Sequence, residues 1–406
     1  MRFYYADPGL KQNLGHHPSS CRFITRELQR RGIETRILAF AHAHQCVLDE
    51  LQAIPHFRAF TYWVTDGDPV SGWLNAYYST AQATKDDLAR LTDIGGEDVL
   101  YLNSGQAAQL LGIAQWLAEL PPGKLPQVLF EFGVEPGIDI HNEHGRMAFS
   151  IRDPRRDPRA VLLRHAAWRI PKAAEAHLHL GTFDANSSAA YAALIKKPVG
   201  VFPCPRPAII ELRCRADKRP ITVSVLGHQR PDKGYQFMPE VAMRLLKAHT
   251  GIKLLAHNGD PQLMHETQTA LRALASAEPR LILDERVADE HIWSHLIEAS
   301  DLILCPYDSA RFAASYSAVA VDAVANAIPL VVPKGSSMAR LLAEFGGAGT
   351  TFEKTEPSFI TSATLHAVNQ FDPLATLAFA GAQKWSALCG PISFVNAAMN
   401  LAGNHH

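Results

Sequence analysis

Short apolar runs alternate along most of the chain with stretches whose apolar residues recur every third or fourth position. In the first half, Arg2–Ala6, Thr35–Phe40, Val99–Asn103, Gln127–Phe132 and Ala176–Leu180 read as strands. Ser20–Arg31 and Gln106–Leu120 read as helices, and Gly32 stands where a helix C-cap belongs. The alternation restarts after a proline-rich stretch. Ile221–Leu226, Ile252–His257, Arg280–Asp284, Leu302–Cys305 and Pro329–Pro333 read as strands, with helices over Phe237–His249, Pro261–Ala277, Asp289–Ala299 and Ser317–Ala327. Strand–helix alternation of this kind predicts an α/β fold of two Rossmann-like, doubly wound parallel sheets. The prolines between Pro198 and Pro207 mark the linker, which gives expected domains over 1–212 and 213–390. A short amphipathic helix, Pro391–Leu401, follows a Gly-Pro break and is expected to cross back to the first domain.

Composition narrows the partners. The chain has 406 residues with 47% hydrophobic content, enough for two cores. Its 39 basic and 40 acidic side chains leave a formal net charge of −1, so no global field draws it to nucleic acid or an anionic membrane. Small substrates fit this balance better than polyphosphate polymers. Met1-Arg-Phe-Tyr-Tyr-Ala-Asp7 reads as a first strand, and no apolar run reaches the ~18 residues of a membrane helix, so a cytoplasmic, non-membrane protein is expected. Six scattered cysteines without a Cys-x-x-Cys pair suggest reduced thiols and support neither a disulfide frame nor a zinc knuckle.

The densest chemistry lies in Ser224-Val-Leu-Gly-His-Gln-Arg-Pro-Asp-Lys-Gly-Tyr235, an apolar strand running into a glycine turn with Arg230 and Lys233 ahead of a helix. Such a turn aims backbone N–H groups and a helix N-terminus at one point, and two cations add the charge to hold a diphosphate. The competing reading is a solvated pair in a βα loop. Asp66-Gly-Asp68 has the spacing of a metal-binding Asp-x-Asp, but Pro69 follows and a tight turn is the better reading. Asp139-Ile-His-Asn-Glu-His144 matches no zinc or calcium spacing and reads as a solvated acceptor loop. Arg152–Arg159 is mixed in sign and reads as a salt-bridged surface or acceptor-facing rim. No metal site is expected.

These residues together resemble the GT-B glycosyltransferases, most nearly glycosyltransferase family 4, over nearly the whole chain. The resemblance implies two domains facing an interdomain cleft and transfer of a sugar from a nucleotide-diphosphate donor, such as a UDP- or GDP-sugar, to an acceptor hydroxyl. It implies retention, no metal, and no cofactor beyond the nucleotide sugar. Gly227 to Gly234 resembles the Gly-Arg…Lys-Gly turn, which gives Arg230 and Lys233 the donor diphosphate. Backbone groups near Val287 would meet the base. Asp301-Leu-Ile-Leu-Cys-Pro-Tyr307 and Ser317 to Val332 resemble the family core, with Asp322 at the second Glu of the Glu-x7-Glu motif and so toward the ribose. The first Glu falls on Ala314, and Ala327-Ile328 replaces the glycine before Pro329; Tyr307, Tyr316 and Ser317 are the substitutes for the donor-sugar contact.

In the first domain, Asp7 to Ser20 resembles the family's glycine loop, which makes Gly15 and His16 candidates near the donor phosphates or the acceptor. Ser19 or Ser20 suits the N-cap of the following helix. Glu131, at a strand end, is a candidate to orient the acceptor or act as a base, against the plainer reading of a structural carboxylate. Two other functions use the same fold: a nucleotide-sugar 2-epimerase, which requires an acid-rich cleft, and a non-catalytic nucleotide- or glycan-binding protein.

Overall fold

A computed structural model describes residues 1–13, 15–62, 69–133, 135–143, 146–212, 219–260 and 262–403. Asp66-Gly-Asp68 and His144 lie outside the described residues. The chain forms two units, Met1–Pro205 with the last helix, and Arg206–Gly390.

The first unit runs β1 (Arg2–Asp7), α1 (His16–Arg30), β2 (Glu34–Phe40), α2 (Gln45–Leu51), β3 (Ile54–Phe57), α3 (Pro69–Ala89), β4 (Val99–Gly105) and α4 (Ala107–Glu119). It continues through β5 (Gln127–Phe132), the antiparallel hairpin β6 (Ile138–Glu143) and β7 (Arg146–Ile151), α5 (Arg159–Trp168), β8 (Leu178–Thr182), α6 (Ala185–Ile195) and β9 (Gly200–Val201). Seven parallel strands lie in the order β3-β2-β1-β4-β5-β8-β9. Period-two alternation gives the sheet two apolar faces: Tyr4 and Ala6 of β1 join one core cluster, Phe3 and Tyr5 the other.

The second unit runs β10 (Ile221–Val225), α7 (Met238–Ala248), β11 (Ile252–His257), α8 (His265–Ala277), β12 (Leu281–Asp284), α9 (Glu290–Glu298), β13 (Leu302–Leu304) and α10 (Ala318–Ala325). It closes with β14 (Leu330–Pro333), α11 (Ser337–Glu344), β15 (Gly349–Phe352), α12 (Pro357–Asn369) and α13 (Phe371–Leu388). Its six parallel strands lie in the order β12-β11-β10-β13-β14-β15. The last helix, α14 (Pro391–Gly403), belongs to the first unit and lays Phe394, Val395 and Ala398 into the core face that holds Phe3 and Tyr5.

The first stretch ends at Pro205 rather than Leu212. From Arg206 onward the backbone is tied to the second unit: the Trp385 indole N–H donates to the Arg206 carbonyl (2.9 Å), and the Ile209 N–H donates to the Ala325 carbonyl (2.8 Å). Helix α1 begins at His16, with Gly15 as N-cap, rather than near Ser20. Gly15 enters at φ 79°, which glycine adopts at little cost, and the Ser19 hydroxyl donates to the His16 carbonyl (3.1 Å) inside the first turn. The stretch expected to be an acceptor loop is the β6–β7 hairpin. Arg152 and Arg159 bind Glu135 and Asp157 in an ion-pair network.

Candidate functional site

Each sheet reverses its strand order once, between β1 and β4 in the first unit and between β10 and β13 in the second. At such a reversal the loops leaving two neighbouring strands part toward opposite faces and open a crevice at the carboxyl edge. Most sequence-derived candidates flank these two points, whereas Val287 lies beyond the edge strand β12.

In the second unit, Gly227 to Lys233 follows β10, and Cys305 to Tyr307 follows β13. Gly227 has φ 96°, and a Cβ there would lie 3.1 Å from Val319 Cγ2 and 3.4 Å from Lys233 Nζ. The bare glycine backbone therefore sits against the first turn of α10 and beside the lysine ammonium. Gly234, φ 67°, lets the turn close onto β13's exit, since a Cβ would fall 1.9 Å from the Pro306 carbonyl oxygen. The Gln229 amide ties the same turn to the Gly227 and His257 carbonyls.

Lys233 Nζ stands 5.1 Å from the centre of the Tyr307 ring, and no carboxylate lies within ion-pair distance of it among the described residues. Burial, with Arg230 adding to it, pushes its pKa down to about 8. A half-hidden cation without a counter-charge is a group prepared for an anion. Arg230 is exposed and rests on Asp232 (3.1 Å). Tyr307 is buried, and its hydroxyl makes no hydrogen bond of ordinary length. Ser317 caps α10, accepting from the Ala320 N–H at 3.4 Å. Val287 lies well exposed on the loop after β12, its carbonyl accepting from the Asp289 N–H (3.1 Å).

Asp322 has partners already. It is 3% exposed, with Oδ1 2.6 Å from Arg206 Nε and Oδ2 accepting from the Trp293 indole N–H at 2.8 Å. Burial raises its pKa, while Arg206 and Trp293 act the other way. The carboxylate thus braces the start of the second unit against α10. A ribose would have to use the lone pairs that these two leave over.

HepE of Anabaena, solved with UDP, shares 14% identity over 99% of this chain and 100% of its own, with a TM-score of 0.60. Sucrose-phosphate synthase from Thermosynechococcus elongatus shares 13% over 99% and 98%, TM-score 0.65. A glycosyltransferase from Rickettsia africae shares 11% over 99% of each chain, TM-score 0.63. The fold is GT-B. No protein-family model and no curated protein matches the sequence.

In the first unit of this GT-B fold, the β1–β4 reversal holds a buried polar network. Asp7, the last residue of β1, accepts from the Gly9 N–H (2.9 Å), from Asn103 Nδ2 (2.8 Å) and from His17 Nδ1 (2.8 Å). Asp7 thus orients the His17 ring through Nδ1. Nε2 lies 2.9 Å from the Tyr62 hydroxyl. Gly9 is required here, since a Cβ would fall 2.2 Å from the His17 ring.

His16 is exposed, lies tilted by 32° against His17 with ring centroids 4.2 Å apart, and reaches the Ser104 hydroxyl at 3.2 Å. Glu131 is 2% exposed and accepts from the Ser104 N–H (2.9 Å) and the Tyr101 hydroxyl (3.4 Å). Burial raises its pKa to about 7. Both hydrogen bonds fall on Oε2, which supports the Ser104 backbone, held at φ 55°. Asp7 and Tyr62 were missed because their partners come from separate elements; Gly9, two residues after an acidic strand end, was the one local signal.

Among the described residues, no group of three His, Cys, Asp or Glu side chains is placed to hold a metal ion. No helix there is long and apolar enough to cross a membrane.

Proposed function

We propose that the protein transfers a sugar from a nucleoside-diphosphate donor to an acceptor hydroxyl, with the diphosphate held in the second unit. The observation that carries this is Lys233: a partly desolvated ammonium without a carboxylate partner, beside the Gly227 backbone and the N-terminus of α10. The diphosphate oxygens accept from Lys233, from the Ser317 hydroxyl and from N–H groups of the α10 first turn, and Arg230 adds charge once it leaves Asp232. As the bond from the sugar C1 to the diphosphate oxygen breaks, negative charge grows on the leaving group, where these donors are already set. Val287 lies on the loop assigned to the base, and Asp322 contacts the ribose through its remaining lone pairs. The Anabaena HepE complexes with UDP and UDP-glucose support the choice of donor class.

The resemblance to family 4 implies retention without a metal, whereas a base directed at the acceptor hydroxyl would give inversion. Binding of UDP, GDP, ADP and CDP is measured by calorimetry on the wild type and on Lys233→Ala. One nucleoside diphosphate is expected to bind, and Lys233→Ala to weaken it by ~2 kcal/mol, the scale of a lost charge-assisted hydrogen bond. Failure of all four to bind the wild type, or equal affinity in the variant, removes the assignment.

A further inference from the structure

The first unit carries a recess that diphosphate binding does not use, beside the edge strand β9. We propose that it binds a free amphiphile with an apolar chain and one anionic head group, of the medium-chain fatty acid class. The site lies wholly within the first unit and stands independently of the donor site.

The sequence of two strands makes the recess. Helix α14 packs on α1 and β5, and the recess opens where the sheet continues past it into β8 and β9. Those strands meet in a pair of glycines, Gly181 opposite Gly200. Phe202 takes the place beside one of them, since a Cβ on Gly181 would fall 2.5 Å from its ring. The place beside the other is open: apart from its chain neighbours, a Cβ on Gly200 would meet no described atom nearer than the Leu180 carbonyl oxygen, at 3.7 Å. Strand alternation puts Gly200 on the face of Phe202, and Gly181 on that of His179, so the missing side chain leaves space between these two rings and Ala397 and Leu401 of α14. The space amounts to about 680 Å³, within the ~300–1,000 Å³ of small-molecule sites.

Its lining is mostly apolar, and its charge is one-sided. Lys196 and Lys197 lie on the connection from α6 to β9. Among the described residues, Glu175 is the only carboxylate in the lining, and Lys197 already holds it at 2.6 Å. Lys196 is exposed, with no carboxylate within ion-pair distance among the described residues. The remaining titratable group, His179, is bonded to Gln127 (2.8 Å) and adds no negative charge. An apolar chain buried in the recess supplies the affinity, and the spare lysine at its rim selects an anionic head. A cationic head meets like charge there, and a short carboxylate leaves the apolar lining uncovered.

The test is titration calorimetry of the full chain with dodecanoate and dodecyltrimethylammonium, each below its micelle concentration, and with acetate. Gly200→Leu fills the recess from a strand position that has room for a side chain and a φ outside the left-handed region, so its denaturation midpoint should be no lower than wild type's. Lys196→Glu reverses the rim charge. Dodecanoate is expected to bind one to one and about tenfold or more tighter than the cationic chain, with no binding of acetate. Gly200→Leu should weaken dodecanoate by about tenfold or more, and Lys196→Glu by about fivefold, the scale of an exposed ion pair. Nucleoside diphosphate affinity should stay within about twofold of wild type in both variants, so failure of the donor site is read separately. No binding of dodecanoate to the wild type, binding of several copies with the cationic chain as strong, or unchanged affinity in folded Gly200→Leu would each overturn the site. Association with phosphatidylglycerol vesicles but not with dodecanoate would overturn it too, by marking a bilayer rather than a free molecule as the partner.

Discussion

Ala327 is a left-handed alanine, φ 54°, fully buried where the resembling family carries glycine. An L-residue pays roughly 1 kcal/mol or more for that conformation. Ala327→Gly is therefore expected to stabilise the fold by up to about 1 kcal/mol despite glycine's greater unfolded-state entropy, and chemical denaturation would show it as a raised midpoint. Lys233 gives a pH signature. Its cation is present below about 8 and lost above, so affinity for a sugar nucleotide, whose diphosphate diester keeps its charge, should weaken about tenfold from pH 7 to 9. Titration calorimetry with a flat profile would count against Lys233 as the diphosphate ligand. Glu131 is shifted the other way: its folded pKa, about 7, lies above the ordinary 4.5, so its contribution to stability is present in acid and lost as pH rises through 7. Relative to wild type, Glu131→Gln should gain on the order of 3 kcal/mol between about pH 4.5 and 7.5, read from denaturation at each pH.

At the scale of elements, the glycine turn after β10 was legible because strand, turn, cations and helix follow one another in a dozen residues. His17 was not. It lies 10 residues from Asp7 and 86 from Asn103, and the fold, by pairing β1 with β4, makes them neighbours. The Ser19 cap was misread because a glycine at positive φ can start a helix without a side-chain cap. Strand β3 escaped notice for want of alternation: four residues, with Pro55 among them and only the last two buried. Asp322 was read as facing a ribose; its partners Arg206 and Trp293 come from the linker and from α9, which no local pattern joins. The Pro306 contact makes the turn's geometry testable: Gly234→Ala should force the turn off β13, costing about 2 kcal/mol or more and weakening nucleotide binding. A variant with wild-type stability would show that the turn can yield.

For the whole molecule, the two parallel sheets and their shared order of construction were readable because buried parallel strands announce themselves as apolar runs between helices. The seam was harder to read, since residues 206–212, expected in the first domain, belong to the second unit. Helix α14 follows the second unit in sequence but completes the first, with Phe394 edge-on to Tyr101 at 4.9 Å. During synthesis the earlier strands of the first unit emerge, and then all of Arg206–Gly390 must pass before this helix appears. At 5–20 residues per second that interval is roughly 10–40 s. Through it, the apolar patch around Phe3 and Tyr5 waits for its cover, while the second unit already has every residue it needs. The nascent chain is thus most exposed to chaperones and to aggregation in its older unit, whose finishing is timed by a helix made only after the second unit is complete.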